Sequence, residues 1–233
     1  MTEELFRKDS YLKSCEATVT AAQDSSVVLD KTVFYPLGGG QPGDTGVMIY
    51  SDGSQVSIID TKKSAQGIVH VLEEGASEPA VGEPVTVEIN WGRRHRLMRM
   101  HSCMHLLCSI IPFGVTGGSI RDDSARLDFD AQQPMDKEAI NVELNRLIKE
   151  DHAITMSWIS EQELDAQPEL VRTMSVQPPR GNGSIRLINF EGVDLQPCGG
   201  THVNSTAEIG AVRIRKIEKK GKHNRRVNIV FDE

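Results

Sequence analysis

The sequence predicts an α+β protein in two parts. A small antiparallel β-barrel occupies residues 1–91, and an α+β domain with a mostly antiparallel sheet and a histidine-bearing helix occupies residues 92–233. Three observations predict it. Residues 14–90 break into short runs that alternate or carry β-branched side chains, punctuated by Gly, Asp, Ser and Pro. Just past Trp91-Gly92 the apolar spacing becomes helical. Beyond that helix, strand-like and helix-like stretches are interspersed.

In the first part, residues 15–19, 26–29, 46–50, 55–60, 67–72 and 84–90 read as strands. Asp52-Gly53 between two of them is a hairpin signal. No helical period separates these runs, so they close as a small antiparallel barrel. Within it, residues 35–46 hold five glycines in twelve positions. No Gly-Lys-Ser/Thr follows, which excludes a P-loop, and no strand–helix crossover surrounds them, which excludes a dinucleotide fingerprint. The stretch reads either as an irregular loop or as backbone N–H groups brought close to another surface.

In the second part, Leu97, Met100, Met104, Leu107, Cys108 and Ile111 follow helical spacing, and Pro112 and Gly114 end that helix. Cys108 falls on the apolar stripe and reads as core; Cys103 could be a ligand only in a distorted helix. Residues 115–120, 125–129, 154–159 and 184–190 read as strands. Residues 136–151 read as an amphipathic helix with Ile140, Leu144, Leu147 and Ile148 on one side. Ser160-Glu161-Gln162-Glu163 is a capping box, and residues 172–183, with Pro178-Pro179, read as a loop or lid. Residues 211–216 and 226–231 should pair as a hairpin turned near Lys220-Gly221-Lys222.

The composition, 38% hydrophobic and 25% charged over 233 residues, is that of a globular protein with no membrane span or apolar leader segment. Four cysteines without a disulfide-framework spacing fit a reducing compartment, so a cytoplasmic protein is expected. The net charge of −7 does not suggest a polyanion binder, but its distribution does. Residues 211–230 carry eight Lys or Arg against one acid, and Arg93, Arg94, Arg96 and Arg99 lead into the histidine helix. A solvated charged hairpin is the plainer alternative.

The chemistry concentrates in two short motifs. His101 and His105 form H-x3-H, so both imidazoles lie on one helix face. Cys198 and His202 form C-x3-H around Gly199-Gly200, which favours a tight turn entering a helix. Three imidazoles and a thiolate make the N/S set that Zn²⁺ prefers. The H-E-x-x-H of one metalloprotease class, the G-x-S-x-G of serine hydrolases, and the H-x-E with P-C-x-x-C of zinc deaminases are all missing.

Taken together, HSCMHLL, PCGGTH, GGGQPGDTG, RLDFD and KIEKKGKHNRRV resemble the alanyl-tRNA editing family over residues 34–227. The match is to its medium-length free-standing form, which is similar to the editing domain of alanyl-tRNA synthetase. The resemblance implies a trans-editing hydrolase that cleaves the aminoacyl ester of tRNA(Ala) mischarged with Ser or Gly, with no DNA or membrane partner. It implies that His101, His105, Cys198 and His202 hold Zn²⁺, and that Thr116 faces the amino-acid side chain. It also brings Gly39, Gly40 and Gln41 toward the editing pocket. The basic hairpin, with Lys219, Lys220, Lys222, Arg225 and Arg226, would together with Arg93, Arg94, Arg96 and Arg99 hold the acceptor stem through its phosphates. Asp128 is expected to pair with Arg126 or Arg121. Two other readings of the same residues remain: a zinc-stabilised RNA-binding module without catalysis, and a zinc hydrolase of a small ester.

Overall fold

The protein is described from a computed structural model covering residues 2–174 and 183–233. The expected loop or lid at residues 172–183 lies mostly outside the described residues. The chain packs as two units, Met1–His95 and Arg96–Glu233.

In the first unit, six strands run Ser14–Gln23 (β1), Ser26–Leu29 (β2), Gly46–Ile49 (β3), Gln55–Ser64 (β4), Gly67–Leu72 (β5) and Pro84–Ile89 (β6). They close into an antiparallel barrel in the order β1-β2-β5-β4-β3-β6. Alternation decides which side chains point in: Ala17 and Val19 are buried on β1 while Glu16 and Thr18 are exposed, and Val85, Val87 and Ile89 are buried on β6. Phe34, Met48 and Ile58 join them in the core. Asp52-Gly53 forms the β3–β4 turn, with Gly53 at φ 83° and Tyr50 N–H donating to Ser54 O at 2.9 Å.

The glycine-rich loop has a structural explanation. Gly38 and Gln41 exchange two backbone hydrogen bonds of 3.1 and 3.0 Å around Gly39 and Gly40. Those two glycines take φ of 56° and 82°, which a two-residue turn of this kind requires at both central positions. Gly39 and Gly40 are exposed at the tip, whereas the Gln41 side chain is fully buried.

Asp44, at the end of this loop, accepts hydrogen bonds from Tyr35 N at 2.6 Å and from Arg94 Nε at 2.9 and 3.0 Å. Arg94 also donates to the carbonyls of Ser10 (3.1 Å) and Val33 (2.7 Å), and it is wholly buried. Arg94 is therefore a clamp inside the first unit and cannot reach phosphate, which corrects that part of the sequence reading.

Helix α1 spans Trp91–Ile110 and starts earlier than its apolar stripe suggested. Asn90 is its cap: its side-chain oxygen accepts from Arg93 N at 3.1 Å. In the second unit Leu97, Met98, Met100, Cys103, Leu106 and Leu107 are all buried, so the helix is enclosed on most sides rather than on one stripe.

The rest of the second unit comprises β7 (Val115–Ile120), β8 (Ser124–Asp130), α2 (Lys137–Lys149), β9 (Ile154–Ser160), α3 (Glu161–Asp165), β10 (Ser184–Phe190), β11 (Asp194–Pro197), β12 (Val212–Lys219) and β13 (Asn224–Phe231). The mostly antiparallel sheet is in fact two: β12-β13-β8-β7 and β9-β10-β11. The smaller sheet includes β11, a four-residue strand too short to signal itself in the sequence. The capping box at Ser160 forms as expected, with Ser160 Oγ accepting from Glu163 N at 3.1 Å and Glu163 accepting from Ser160 N at 2.7 Å. The β12–β13 hairpin also forms, with Gly221 at φ 91° in its turn. Among the described residues no helix is long and apolar enough to cross a membrane.

Arg94→Ala leaves a buried carboxylate without its partner and should cost about 3–5 kcal/mol, read as a lower urea midpoint of the full chain. Arg96→Ala, at a half-exposed pair with Glu233, should cost under about 1 kcal/mol. Equal midpoints for the two variants would contradict the clamp.

Candidate metal centre

His101 and His105 face one point because a helix places residues four apart one above the other. The second pair arrives from a different element. β11 ends at Pro197, and Cys198 to Asn204 run as irregular chain before a single helical turn at Thr206–Ile209. The expected entry of a helix at Cys198 is therefore not present; the two glycines serve a non-helical bend that brings His202 back toward Cys198.

The four ligand atoms of His101, His105, Cys198 and His202 lie within 4.8 Å of one another. Cys198 Sγ is 3.3 Å from His202 Nε2 and 3.5 Å from His101 Nε2. A tetrahedral centre with metal–nitrogen bonds near 2.0 Å and metal–sulfur bonds near 2.3 Å requires N···S separations of about 3.5 Å. The donor set and its spacing thus fit one tetrahedral cation.

Neighbours hold these rings in place. His202 Nδ1 lies 3.1 Å from Ser102 Oγ, one helix residue past His101, and Ser102 Oγ also accepts from Val203 N at 3.3 Å. His105 stacks on Phe190 of β10 at 5.4 Å and 13° between planes. Its Nδ1 is directed at the buried Asp194, 3.8 Å from Oδ2. That carboxylate is steadied by Gln196 Nε2 at 2.6 Å and by Arg172, 3.5 Å from Oδ1. A partner on the far nitrogen fixes which nitrogen of an imidazole faces the ligand point. Arg186, also buried, donates to the carbonyls of Cys198 (3.2 Å) and Gly200 (2.7 Å), pinning the bend.

Electrostatics sorts the cysteines. Burial pushes the thiols of Cys103 and Cys108 up to about 12, so both stay protonated. Burial acts on Cys198 in the same direction, but His101 and His202 outweigh it and hold its pKa well below the ordinary thiol value. Gly200 N–H points at the same sulfur from 3.4 Å. Burial also depresses His202, with His101 adding to it. At His105 burial is overcome by Asp194 and Cys198, which raise its pKa to about 9.

The other residues marked in the sequence lie elsewhere. Thr116 sits on β7, where its hydroxyl donates to Asp128 O at 3.1 Å and accepts from Asn224 Nδ2 at 3.2 Å. Two residues on, Gly118 abuts Met104, the helix residue before His105; a Cβ there would lie 3.1 Å from Met104 Cε. Lys219, Lys220 and Lys222 are exposed about the β12–β13 turn, and Lys220 lies 3.3 Å from Glu218.

Arg225 is buried and donates to the carbonyls of Gln132 and Asn224, so it does not face outward as the sequence reading required. Arg226 forms a two-pronged pair with Asp128 at 2.7 and 2.8 Å, while Arg126 stands 3.6 Å off; the principal partner of Asp128 is thus Arg226. Arg93 donates to Gly43 O at 2.8 Å and Arg99 to Ile209 O at 2.8 Å. Asp194, Ser102, Phe190 and Arg186 were not marked in the sequence. Ser102 alone had a signal, lying between two ligands in HSCMH.

A family model described as "tRNA synthetases class II (A)" matches residues 6–93, and one described as "Threonyl and Alanyl tRNA synthetase second additional domain" matches residues 185–228. "Alanyl-tRNA editing protein AlaX-M" of Saccharolobus solfataricus is 36% identical over 232 residues, covering 97% of this chain and 98% of the relative. The AlaX-M protein of Methanosarcina mazei is 35% identical, covering 97% and 95%. "Alanine--tRNA ligase" of Saccharolobus islandicus is 34% identical over 94% of this chain, but over only 25% of the ligase.

One equivalent of Co²⁺ should bind per chain and give a thiolate charge-transfer band in the absorption spectrum. Cys198→Ser should abolish that band, and Cys103→Ala and Cys108→Ala should keep it; a band that survives in Cys198→Ser would refute the ligand assignment. Asp194→Asn, which keeps the shape but weakens the hold on His105, should lower metal affinity about 10- to 100-fold in a chelator competition.

Proposed function

The chain belongs to the alanyl-tRNA editing family, and from that premise we propose that it is a cytoplasmic trans-editing deacylase. Its reaction is hydrolysis of the ester joining a wrong amino acid, Ser and also Gly, to tRNA(Ala). The observation that carries this is the convergence of His101, His105, Cys198 and His202 to within 4.8 Å from two separate elements. That donor set suits Zn²⁺, which when bound supplies a Lewis acid at an ester carbonyl and lowers the pKa of coordinated water.

The residues of the chain do the rest. Ser102 lies within hydrogen-bond distance of His202 Nδ1, and the Asp194 carboxylate stands 3.8 Å from His105 Nδ1, which favours the other nitrogen of each ring toward the ligand point. Arg186 fixes the Cys198–Gly200 backbone so that the thiolate does not move during turnover. An aminoacyl ester is already activated, so positioning and charge stabilisation suffice and no covalent nucleophile is needed.

Discrimination against Ala requires a buried polar partner that the Ala methyl leaves unpaired. Thr116 is assigned that role: its half-buried hydroxyl gives its proton to Asp128 O and one lone pair to Asn224, and its strand neighbour Gly118 lies against the helix that carries His105. A hydroxyl oxygen accepts through two lone pairs, so a serine O–H would donate to it alongside Asn224. Binding of the tRNA is assigned to the exposed Lys219, Lys220 and Lys222 and to the exposed Gly39-Gly40 tip, with Arg226 contributing once a phosphate competes with Asp128.

The chain should deacylate Ser-tRNA(Ala) and Gly-tRNA(Ala) and spare Ala-tRNA(Ala). His105→Ala and Cys198→Ala should lose bound metal and deacylation together. RNA binding without ester cleavage would instead indicate a binding module, and cleavage of small esters without regard to tRNA identity would indicate a general hydrolase. Thr116→Val should slow Ser-tRNA(Ala) more than Gly-tRNA(Ala), by about 10-fold or more if one hydrogen bond to the side chain is lost. Equal losses would remove Thr116 from side-chain recognition.

A further inference from the structure

The bend at Cys198 extends a cross-strand row. In the β9–β10 register Trp158 stands opposite Arg186. In the β10–β11 register Leu187 stands opposite Pro197, and Cys198 N–H donates to Arg186 O at 3.0 Å, which carries the pairing one step further. Trp158, Arg186 and Cys198 thus lie side by side across three chain segments. Side chains directly opposite in antiparallel pairs share a sheet face. That face is the one toward the ligand cluster, because Phe190, an even number of residues from Arg186 on β10, stacks on His105. Two strand spacings separate Trp158 from Cys198, about 10 Å along the row.

The near end of the row is buried and polar, with Arg186 tied to the bend. The far end is open and apolar: the residue exposure of Trp158 is 47%, and that of Met156, two residues along on the same face, is 43%. β9 is an edge strand, and its sequence Ile-Thr-Met-Ser-Trp-Ile-Ser has no charge to protect it. Trp158 is also one of only two tryptophans in the chain.

We propose that Trp158, flanked by Met156, is a stacking platform for the nucleobase adjoining the scissile ester, an inference that rests on the deacylase assignment above. An ester at the ligand cluster is attached to a ribose, and one sugar ring separates it from its base. The base of that nucleotide therefore falls within the 10 Å row, on the side where an aromatic face lies open. Stacking on an aromatic side chain is the sequence-tolerant way in which proteins hold an unpaired nucleotide, and the 3′ end of an aminoacylated RNA is unpaired.

Trp158→Ala should raise KM for Ser-tRNA(Ala) about 5- to 150-fold with bound metal unchanged and kcat little altered. Trp158→Phe should restore most of the affinity. In a Trp91→Phe background Trp158 is the sole tryptophan, and excitation beyond the tyrosine band reads it alone. Its emission should be quenched by a hairpin RNA with a single-stranded 3′ end and not by the same hairpin made blunt.

Equal quenching by both hairpins, or an unchanged KM in Trp158→Ala with deacylation intact, would overturn the platform while leaving the deacylase standing. End-dependent quenching in a chain that cleaves no aminoacyl-tRNA would support the platform and overturn the deacylase. Trp158-dependent self-association in sedimentation, with no quenching, would identify the patch as a contact between copies and reject the proposal.

Discussion

The second unit is organised by the contact between a buried helix and a three-stranded sheet. H-x3-H needs helical backbone to aim two rings at one point, and C-x3-H around Gly199-Gly200 takes an irregular bend here. The two pairs meet only if sheet and helix are locked against each other. Among the contacts that lock them are Phe190 under His105 at 5.4 Å, and Ser102 Oγ to His202 Nδ1 at 3.1 Å. Each joins the helix to the sheet or to the bend that follows it. The enclosure of α1 has the same origin. A helix that presents ligands on one side and packs on the others cannot keep a single apolar stripe.

The formal charges tell a different story from their count. The sequence offers a basic knot in the first turns of the helix and a basic hairpin near residue 220, yet the protein uses much of both internally. Arg94 is bound to Asp44, Arg99 to Ile209 O, Arg225 to Gln132 O and Arg226 to Asp128. Burying a guanidinium is tolerable only when most of its donors are matched. Arg94 meets that condition with one carboxylate and two carbonyls. What remains exposed for a polyanion is a smaller set, Arg213, Arg215 and Lys216 along β12 and the lysines about the β12–β13 turn. Exposed pairs such as Lys220 with Glu218 hold that set only weakly, since such pairs contribute little net energy.

Much of this was legible in the sequence, for identifiable reasons. The barrel strands and the β12–β13 hairpin follow period-two alternation, which tertiary context rarely overrides when one face is buried. The pairing of His101 and His105 with Cys198 and His202 was legible because residue type and spacing are chemical facts that precede folding, and the four do cluster. Arg225 could have been placed inward from the same alternation, since it shares a strand face with the buried Val227, Ile229 and Phe231. Asp194 could not: its strand is four residues long, and its relation to His105 exists only once β11 lies beside the helix. Asp44 likewise stands in a glycine-rich run whose composition suggests ligand binding. Its role is set by Arg94, fifty residues on.

The same logic separates useful apolar exposure from accidental exposure. Single exposed apolar residues such as Val81 or Val142 need no explanation, because most protein surfaces carry them. Met156 and Trp158 differ in arrangement rather than in area. They share one face of one edge strand, and that face continues, without a turn of chain between, to the residue whose guanidinium holds the Cys198 bend. An uncharged edge strand invites pairing or aggregation unless something compensates. Proximity to a ligand cluster on a rigid sheet gives this one a compensating use, because the bend is pinned by hydrogen bonds and the platform by register. The distance between them is then fixed by the backbone, which is the geometry the proposed platform requires.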